Sequence, residues 1–307
     1  METVRVFSPA SVSNVGPGFD MMGFALEKPG DSLIVKFNNI KSLRIVNNSG
    51  VTLPEDPLKN VATVALQSLL NNLNTSQGFD LIFEKKINPG SGVGSSAASC
   101  NASVFGANIL LNSPFTPKEL IPFALEGEII ASGSLHADNI APGMLGGFVF
   151  IKSYLPLEII SLCPPDKLKC VVVHPAIQIK TSESRKILPE MIRMKSAIKQ
   201  CGNLAGLITG IIKADYDLIY RSLHDEFAEP YRSPLIPGYS ELKKILCEKV
   251  IGGCNISGSG PSIFFLAHSE EEIQKAAVIM KNLYTRLNIE HEIYVSGLCK
   301  AGTRIAE

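Results

Sequence analysis

The 307-residue sequence has no tryptophan, no Cys-x-x-Cys pair, and no apolar run approaching the ~20 residues that a membrane-spanning helix requires. The first absence decides little. The second, with seven scattered cysteines and no Cys/His spacing suited to zinc, excludes a zinc ribbon and a disulfide framework. Reduced thiols are expected, and all seven read as small hydrophobes. The third leaves no membrane partner. The start, Met1-Glu2-Thr3-Val4-Arg5, enters a strand directly without a signal-peptide pattern, so a cytoplasmic location is expected. An excess of charge is missing too, with 29 Lys+Arg against 29 Asp+Glu. That balance argues against a nucleic-acid partner while leaving room for a local phosphate pocket. There is no internal repeat and no low-complexity tract. At 45% hydrophobic and 19% charged residues, the chain is a well-buried globule, long enough for two domains.

Two common nucleotide-binding templates are also lacking. No GxxxxGK[ST] occurs, because Ser95 and Ser96 stand where lysine would be needed, and GxGxxG fails at its last glycine. What is present is Pro89-Gly90-Ser91-Gly92-Val93-Gly94-Ser95-Ser96-Ala97-Ala98-Ser99. It lies between a strand-like run, Phe79 to Ile87, and a small-residue helix pattern, Ala97 to Leu111. Three alternate glycines allow a sharp turn with bare N–H groups close to a ligand. The helix adds the positive end of its dipole, so phosphate is the natural guest. Ser95 and Ser96 supply hydroxyls where a phosphate or its Mg²⁺ would sit. The plainer reading is a glycine turn that only permits close helix packing.

The opening is β-rich. Val4–Phe7, Phe24–Leu26, Ser32–Phe37 and Leu43–Val46 read as strands. Between the first two lies the Gly/Pro loop Ser8 to Asp20. Its Asn14 and Asp20 could bind a polar substrate or hold the turn through Asx hydrogen bonds. Asn60 to Leu73 is helical with an apolar stripe, and only its start, around Asn60, is a candidate nucleotide contact. A helix from Pro117 to Ser132 is expected to continue towards Pro142. Glu126 and Glu128 are two apart and so point to different faces, and only one can face the glycine loop. A carboxylate there suits Mg²⁺, which prefers oxygen ligands and bridges phosphates. His136, Asp138 and Asn139 are three polar groups within four residues.

Pro164-Pro165-Asp166 marks a boundary, dividing the chain into residues 1–166 and 167–307. Leu168–Val173 is a strand and Thr181 opens a helix with Arg185 one turn on, so the two can face one point. Helices follow over Leu204–Lys213 and Asp217–Phe227. Glu229-Pro230-Tyr231-Arg232-Ser233-Pro234 reads as a loop fixing an arginine whose fork suits a carboxylate. Helix Tyr239–Glu248 precedes Gly252 to Leu266, a strand, glycine turn and strand that is either ordinary hairpin chemistry or part of a site. Helix Glu270–Leu287 and strand His291–Val295 close a β-α…β-β-α-β order, which suggests an elaborated ferredoxin-like domain.

Three stretches together, Pro9 to Asp20, Pro89 to Ser99 and Ser257 to Ser262, resemble the GHMP family of small-molecule kinases. The resemblance covers essentially the whole chain. It implies an α+β, two-domain fold, with a mixed-sheet N-terminal domain containing a left-handed β-α-β crossover, a ferredoxin-like C-terminal domain, and the sites between them. ATP and Mg²⁺ are the implied cofactors, and a homodimer is implied. The stretches Ser13–Asp20, Gly133–Asn139, Thr181…Arg185 and Glu229–Arg232 resemble the subgroup acting on L-homoserine in threonine synthesis. By that resemblance Asn14, Asp20, His136, Asp138, Thr181, Arg185, Arg232 and Gly258 would surround homoserine, the arginines on its carboxylate and Asp138 on its ammonium. Asn60, the loop Pro89 to Ala97, Ser99 and Ser259 would hold the nucleotide. Glu128, with Ser96, would hold Mg²⁺. Asn139 stands where other members of the family have an aspartate base, so transfer without a protein base is expected.

Overall fold

A computed structural model describes residues 2–133, 135–179 and 181–306, and the side chains of Ser132, Thr181 and Ser182 lie outside the described set. Strand β1 (Thr3–Ser13) begins with alternating burial and is wholly buried from Ser8 onwards. That change of pattern marks where the second half of the protein packs across the strand. Antiparallel to β1 runs β2 (Met22–Asn38), one long strand where two shorter ones were expected. The β1–β2 register shifts between Pro9 and Ser11, which frees the Ser11 N–H to bond Val93 O of the glycine loop at 3.1 Å. Strand β3 (Leu43–Asn47) lies parallel to β4 (Gly78–Lys85), and β4 is antiparallel to β2, so the sheet is mixed.

Helix α1 (Val61–Asn72) is capped by Asn60, whose side chain accepts from Ala62 N–H. Helices α2 (Ser95–Leu110) and α3 (Pro117–Ser132) follow. The expected continuation of α3 to Pro142 is corrected: Gly133, at φ +73°, ends it, and a separate helix α4 (Ala137–Leu145) begins at His136. Strands β5 (Phe148–Tyr154) and β6 (Leu157–Leu162) then form a hairpin on β2.

The second sheet has strand order β10-β7-β9-β8, where β7 is Lys169–Pro175, β8 Gly253–Ile256, β9 Ile263–Ala267 and β10 His291–Gly297. All its pairings are antiparallel. Counted in chain order this is 4-1-3-2, the order of a ferredoxin-like sheet. Its connections carry α5 (Thr181–Lys186), α6 (Met194–Lys213), α7 (Tyr216–Arg221), α8 (Glu229–Arg232), α9 (Tyr239–Lys249) and α10 (Glu270–Arg286). Helix α6 starts ten residues before the expected Leu204, and α7 stops well short of Phe227. The expected loop at Arg232 is a helical turn, because Pro230 in its first turn needs no N–H partner. The chain returns to the first sheet at β11 (Arg304–Ile305), paired with β1.

Three apolar cores hold these layers. The first lies between the mixed sheet and α1–α3. The third lies beneath α9 and α10. The second joins Ala10, Val12, Phe24 and Phe148 to Cys170, Val172, Phe264 and Leu266, so the two sheets share one buried interior. Across it Phe24 and Phe264 meet edge to face at 5.8 Å. Of the cysteines, Cys163, Cys201 and Cys247 are exposed rather than packed, and all seven are free thiols. No described helix is long and apolar enough to cross a membrane.

Candidate active site

The buried end of β1 and the turn after it form the hub of a cleft of about 460 Å³. Phosphate-type chemistry enters from one side. Gly90, Gly92 and Gly94 all have positive φ, so the loop requires glycine three times over. Gly94 caps α2, and a Cβ there would lie 2.2 Å from Ser11 Oγ. A Cβ on Gly90 would meet nothing within 4 Å, which leaves the loop open towards the cleft. The loop is pinned from outside by the β8–β9 turn, where Ser257 Oγ donates to Gly92 O at 2.7 Å and Ser262 Oγ to Ser91 O at 2.5 Å. Gly258 N–H bonds Ser13 O at 3.0 Å. The turn is therefore both an ordinary hairpin connection and a brace on the site.

Pro89, Gly90, Gly92, Gly94, Ser95, Ser96, Ser99 and Ser259 line the cleft. Ser91, Val93 and Ala97 do not, since all three side chains are buried in the loop's own packing. Val93 and Ala97 can serve a ligand only through their backbone N–H groups, and the Ser91 N–H is already bonded to Asn88 O at 3.2 Å. The Ser95 hydroxyl is likewise turned inward, donating to Ile87 O at 2.8 Å. Ser96 is the hydroxyl left on the cleft side, hydrogen-bonded to Glu128.

Lys86 and Asp31, neither visible as site residues in the sequence, lie beneath this loop with Nζ 3.2 Å from Oδ2. Lys86 donates to Ile87 O (3.1 Å) and Ser95 O (2.7 Å), the two ends of the loop, and also contacts Ser95 Oγ. Asp31 accepts from Ile87 N–H at 2.9 Å and Ser99 Oγ at 2.7 Å. Both charges are enclosed by protein. Burial raises the Asp31 pKa and lowers that of Lys86, and their mutual attraction opposes both shifts. The couple staples the start of the loop to its exit.

Of the two candidate glutamates, Glu126 is exposed and Glu128 buried. Gly127 between them packs against α1, where a Cβ would lie 2.3 Å from Val61 O, and this close approach drives Glu128 into the cleft. Burial pushes the Glu128 carboxyl up to about 7, with the Ser96 hydrogen bond pulling the other way. A buried carboxylate beside a hydroxyl at a helix N-terminus fits a hard divalent cation that completes its shell with phosphate oxygens. No described cluster of three or more His, Cys, Asp or Glu side chains could hold a metal by itself.

The opposite side gathers charged side chains. Asn14 and Asp20, both at positive φ, close the turn after β1, with Asp20 N–H donating to Asn14 Oδ1 at 2.7 Å. Asp20 pairs with Arg185, whose Nη2 donates to both carboxylate oxygens at 2.8 and 2.9 Å. His136 lies 3.2 Å from the same Nη2, and burial lowers its pKa, so a neutral ring nitrogen accepts there. Arg232, 2% exposed, donates to Gly258 O at 2.9 Å and Ser184 O at 3.4 Å. Both guanidinium groups lie over the Phe19 ring, 5.5 and 5.1 Å from its centre. The Thr181 side chain lies outside the described residues.

Asp138 and Asn139 reach the cleft from the first turn of α4. Asn139 is held at both ends, accepting from Ser11 Oγ at 2.9 Å and donating to Ser13 Oγ at 3.0 Å. Asp138 accepts from Asn14 N–H at 3.3 Å, and burial pushes it up to about 7. A carboxyl raised on folding holds its proton where the unfolded chain has lost it, so its contribution to stability falls as pH rises towards 7. Unfolding titrations of wild type and Asp138→Asn at pH 5 and pH 8 test this. The wild type is expected to lose about 2 kcal/mol more than the variant across that interval. Parallel losses would show that Asp138 is not so perturbed.

Asn60 caps α1 at the remaining edge, where Leu53, Pro54, Val61, Phe83 and Ile130 add an apolar wall that the sequence reading missed. These residues come from four separate segments, and no local pattern gathers them.

The arrangement matches known proteins over its full length. Residues 60–147 match the description "GHMP kinases N terminal domain" and residues 207–286 "GHMP kinases C terminal". The chain is 42% identical to a homoserine kinase of Chlorobium phaeobacteroides, covering 99% of this chain and 100% of that one. The crystal structure of homoserine kinase from Cytophaga hutchinsonii superposes with a TM-score of 0.94 at 41% identity, covering 100% of this chain and 98% of that one. Mevalonate diphosphate decarboxylase from Staphylococcus aureus, 13% identical, shares the fold at a TM-score of 0.73, with 100% of this chain and 98% of that one covered. With both family descriptions and full-length relatives in agreement, the chain belongs to the GHMP kinases and, within them, groups with the homoserine kinases.

Proposed function

We propose that this protein transfers the γ-phosphoryl group of ATP to the side-chain hydroxyl of L-homoserine, giving O-phospho-L-homoserine and ADP in the cytoplasm. The observation that carries the reading is one cleft with a glycine phosphate loop on one side and two arginines on the other. An amino-acid zwitterion needs both signs of charge there. Arg232, with hydrogen bonds from Nη1 and Nε to backbone oxygens, is pre-oriented for a carboxylate. Arg185 keeps a buried Nε with no partner among the described residues. Asp138 and Asp20 supply negative charge for the ammonium. The apolar wall at Leu53, Val61 and Phe83 suits a flat base. We take residues 1–166 and 167–307 as the two domains flanking the cleft, and a homodimer as the working assembly.

Mg²⁺ held by Ser96 and Glu128 would neutralise phosphate charge. The chain itself aligns the acceptor hydroxyl with the loop and excludes water. The hydroxyl oxygen bonds the γ-phosphorus as the bond to the β-phosphate oxygen breaks, and the hydroxyl proton passes to a phosphate oxygen. Asn139, an amide engaged at both ends, cannot take that proton. Positioning and electrostatics are sufficient for a loose phosphoryl transition state. A second reading has a specific observation behind it: Asp138, held near pKa 7, is poised as a base. Asp138→Asn separates the two. Without a base the loss falls mainly on the homoserine KM, whereas removing a general base costs about 10²–10⁴ in kcat. The reaction itself is tested by ³¹P NMR of the protein with ATP, Mg²⁺ and L-homoserine. A new phosphomonoester signal coupled to methylene protons is expected, and its absence would refute the assignment.

A further inference from the structure

Gln200 is a glutamine on helix α6, 2% exposed and outside the cleft, yet its side-chain hydrogen bonds go to loops that lead to the cleft. Its Nε2 donates to Pro17 O at 2.9 Å, inside the turn that carries Phe19 and Asp20. The same nitrogen donates to Asp225 Oδ1 at 2.9 Å, and its Oε1 accepts from Glu226 N–H at 2.6 Å. These partners fix the amide orientation, since two acceptors face the nitrogen and one donor faces the oxygen. Asp225 in turn accepts the N–H groups of Phe227, Ala228 and Glu229 at 2.8, 3.0 and 2.9 Å, and so organises the start of α8. Helix α8 ends in Arg232, and the Arg232 guanidinium lies on the Phe19 ring.

We propose that Gln200 is a positioning residue for the carboxylate-binding side of the cleft, tying the Phe19–Asp20 turn to the Arg232 helix so that Arg185 and Arg232 meet one ligand group at a fixed separation. The inference rests on the proposed homoserine reading. The two loops are more than 200 residues apart in the chain, and the Gln200 side chain bonds to both. Loss of such a tie loosens the geometry between two guanidinium groups without removing either. Only ligands that need both then suffer.

The discriminating probe is 3-amino-1-propanol, which is homoserine without its carboxylate, used as alternative substrate or as competitor. Gln200→Met, similar in volume and unable to make these bonds, is expected to raise the KM for L-homoserine about tenfold. The KM for ATP, kcat, and the constant for 3-amino-1-propanol should remain within about twofold. An equal loss with both amino alcohols would reduce Gln200 to a general packing role and overturn the proposal, as would no loss with either. Gln200→Asn, which keeps the amide but is one methylene too short to bond both loops, should give the same selective defect and guards against a variant that folds poorly. Wild-type protein that treats the two amino alcohols alike would instead sink the substrate reading itself.

Discussion

Replacing Arg232 by alanine is expected to raise the KM for L-homoserine about 100-fold and to leave that for ATP within about threefold. The size follows from the environment of the side chain. Arg232 is almost completely enclosed, and its Nη1 and Nε already bond Gly258 O and Ser184 O. What remains of the fork faces the cleft at no further ordering cost. A charge-assisted bond formed there, away from water, is worth about 3 kcal/mol. The asymmetry between substrates follows from position, since Arg232 touches the turn after Gly258 and not the glycine loop. Arg232→Lys should recover little, because an ammonium cannot reproduce the planar fork. Steady-state kinetics with each substrate varied in turn provide the check. Equal effects on both KM values would mean that Arg232 supports the cleft as a whole.

The second large effect is expected at Glu128. Glu128→Gln keeps the volume and the Ser96 neighbour but removes the ionised oxygen donor, and activity at pH 8 should fall on the order of 100-fold. The Mg²⁺ concentration for half-maximal rate should rise with it. Thermal stability should not fall, because the carboxyl of the wild type is held near pKa 7 by burial, and a neutral amide carries no such penalty. A variant that lost activity with an unchanged Mg²⁺ requirement would remove Glu128 from metal binding. Exposed Glu126 provides the control, and Glu126→Gln should leave the rate alone.

The glycine loop was legible in the sequence because its chemistry is local: three alternate glycines are needed for three positive φ angles, and the helix follows at once. The ferredoxin-like order was legible for a similar reason, since β7 and β9 carry local apolar runs and a glycine turn joins β8 to β9. Glu128 could be separated from Glu126 only by resemblance, since helical spacing says that they diverge but not which faces inward. Lys86, Asp31 and Gln200 could not be read at all. A lysine before a loop and a glutamine within a helix are ordinary surface residues by type, and only the folded topology encloses them. Strands β5 and β6 passed unread because a short apolar run does not announce its partner, and β11 is two residues long. Arg185 was expected to reach a ligand carboxylate directly. In the structure its Nη2 is paired with Asp20 while its buried Nε has no partner among the described residues, and Arg232 has no carboxylate partner among them.

The central claim is that one cleft joins a phosphate loop to a pair of guanidinium groups because its acceptor is an amino acid with a side-chain hydroxyl. The most direct measurement is kcat/KM for ADP release with ATP and Mg²⁺, comparing L-homoserine, L-serine, mevalonate and galactose on the same preparation. Turnover is expected with L-homoserine and to exceed that of galactose, which carries no carboxylate, by at least about 100-fold, the margin that the buried Arg232 provides; L-serine, one methylene shorter, and mevalonate, which has no ammonium, should also be poorer substrates. Preferred turnover of galactose would contradict the claim, leaving the phosphate loop in place and removing the carboxylate site from its role, and preferred turnover of mevalonate would contradict it by removing the ammonium site from its role.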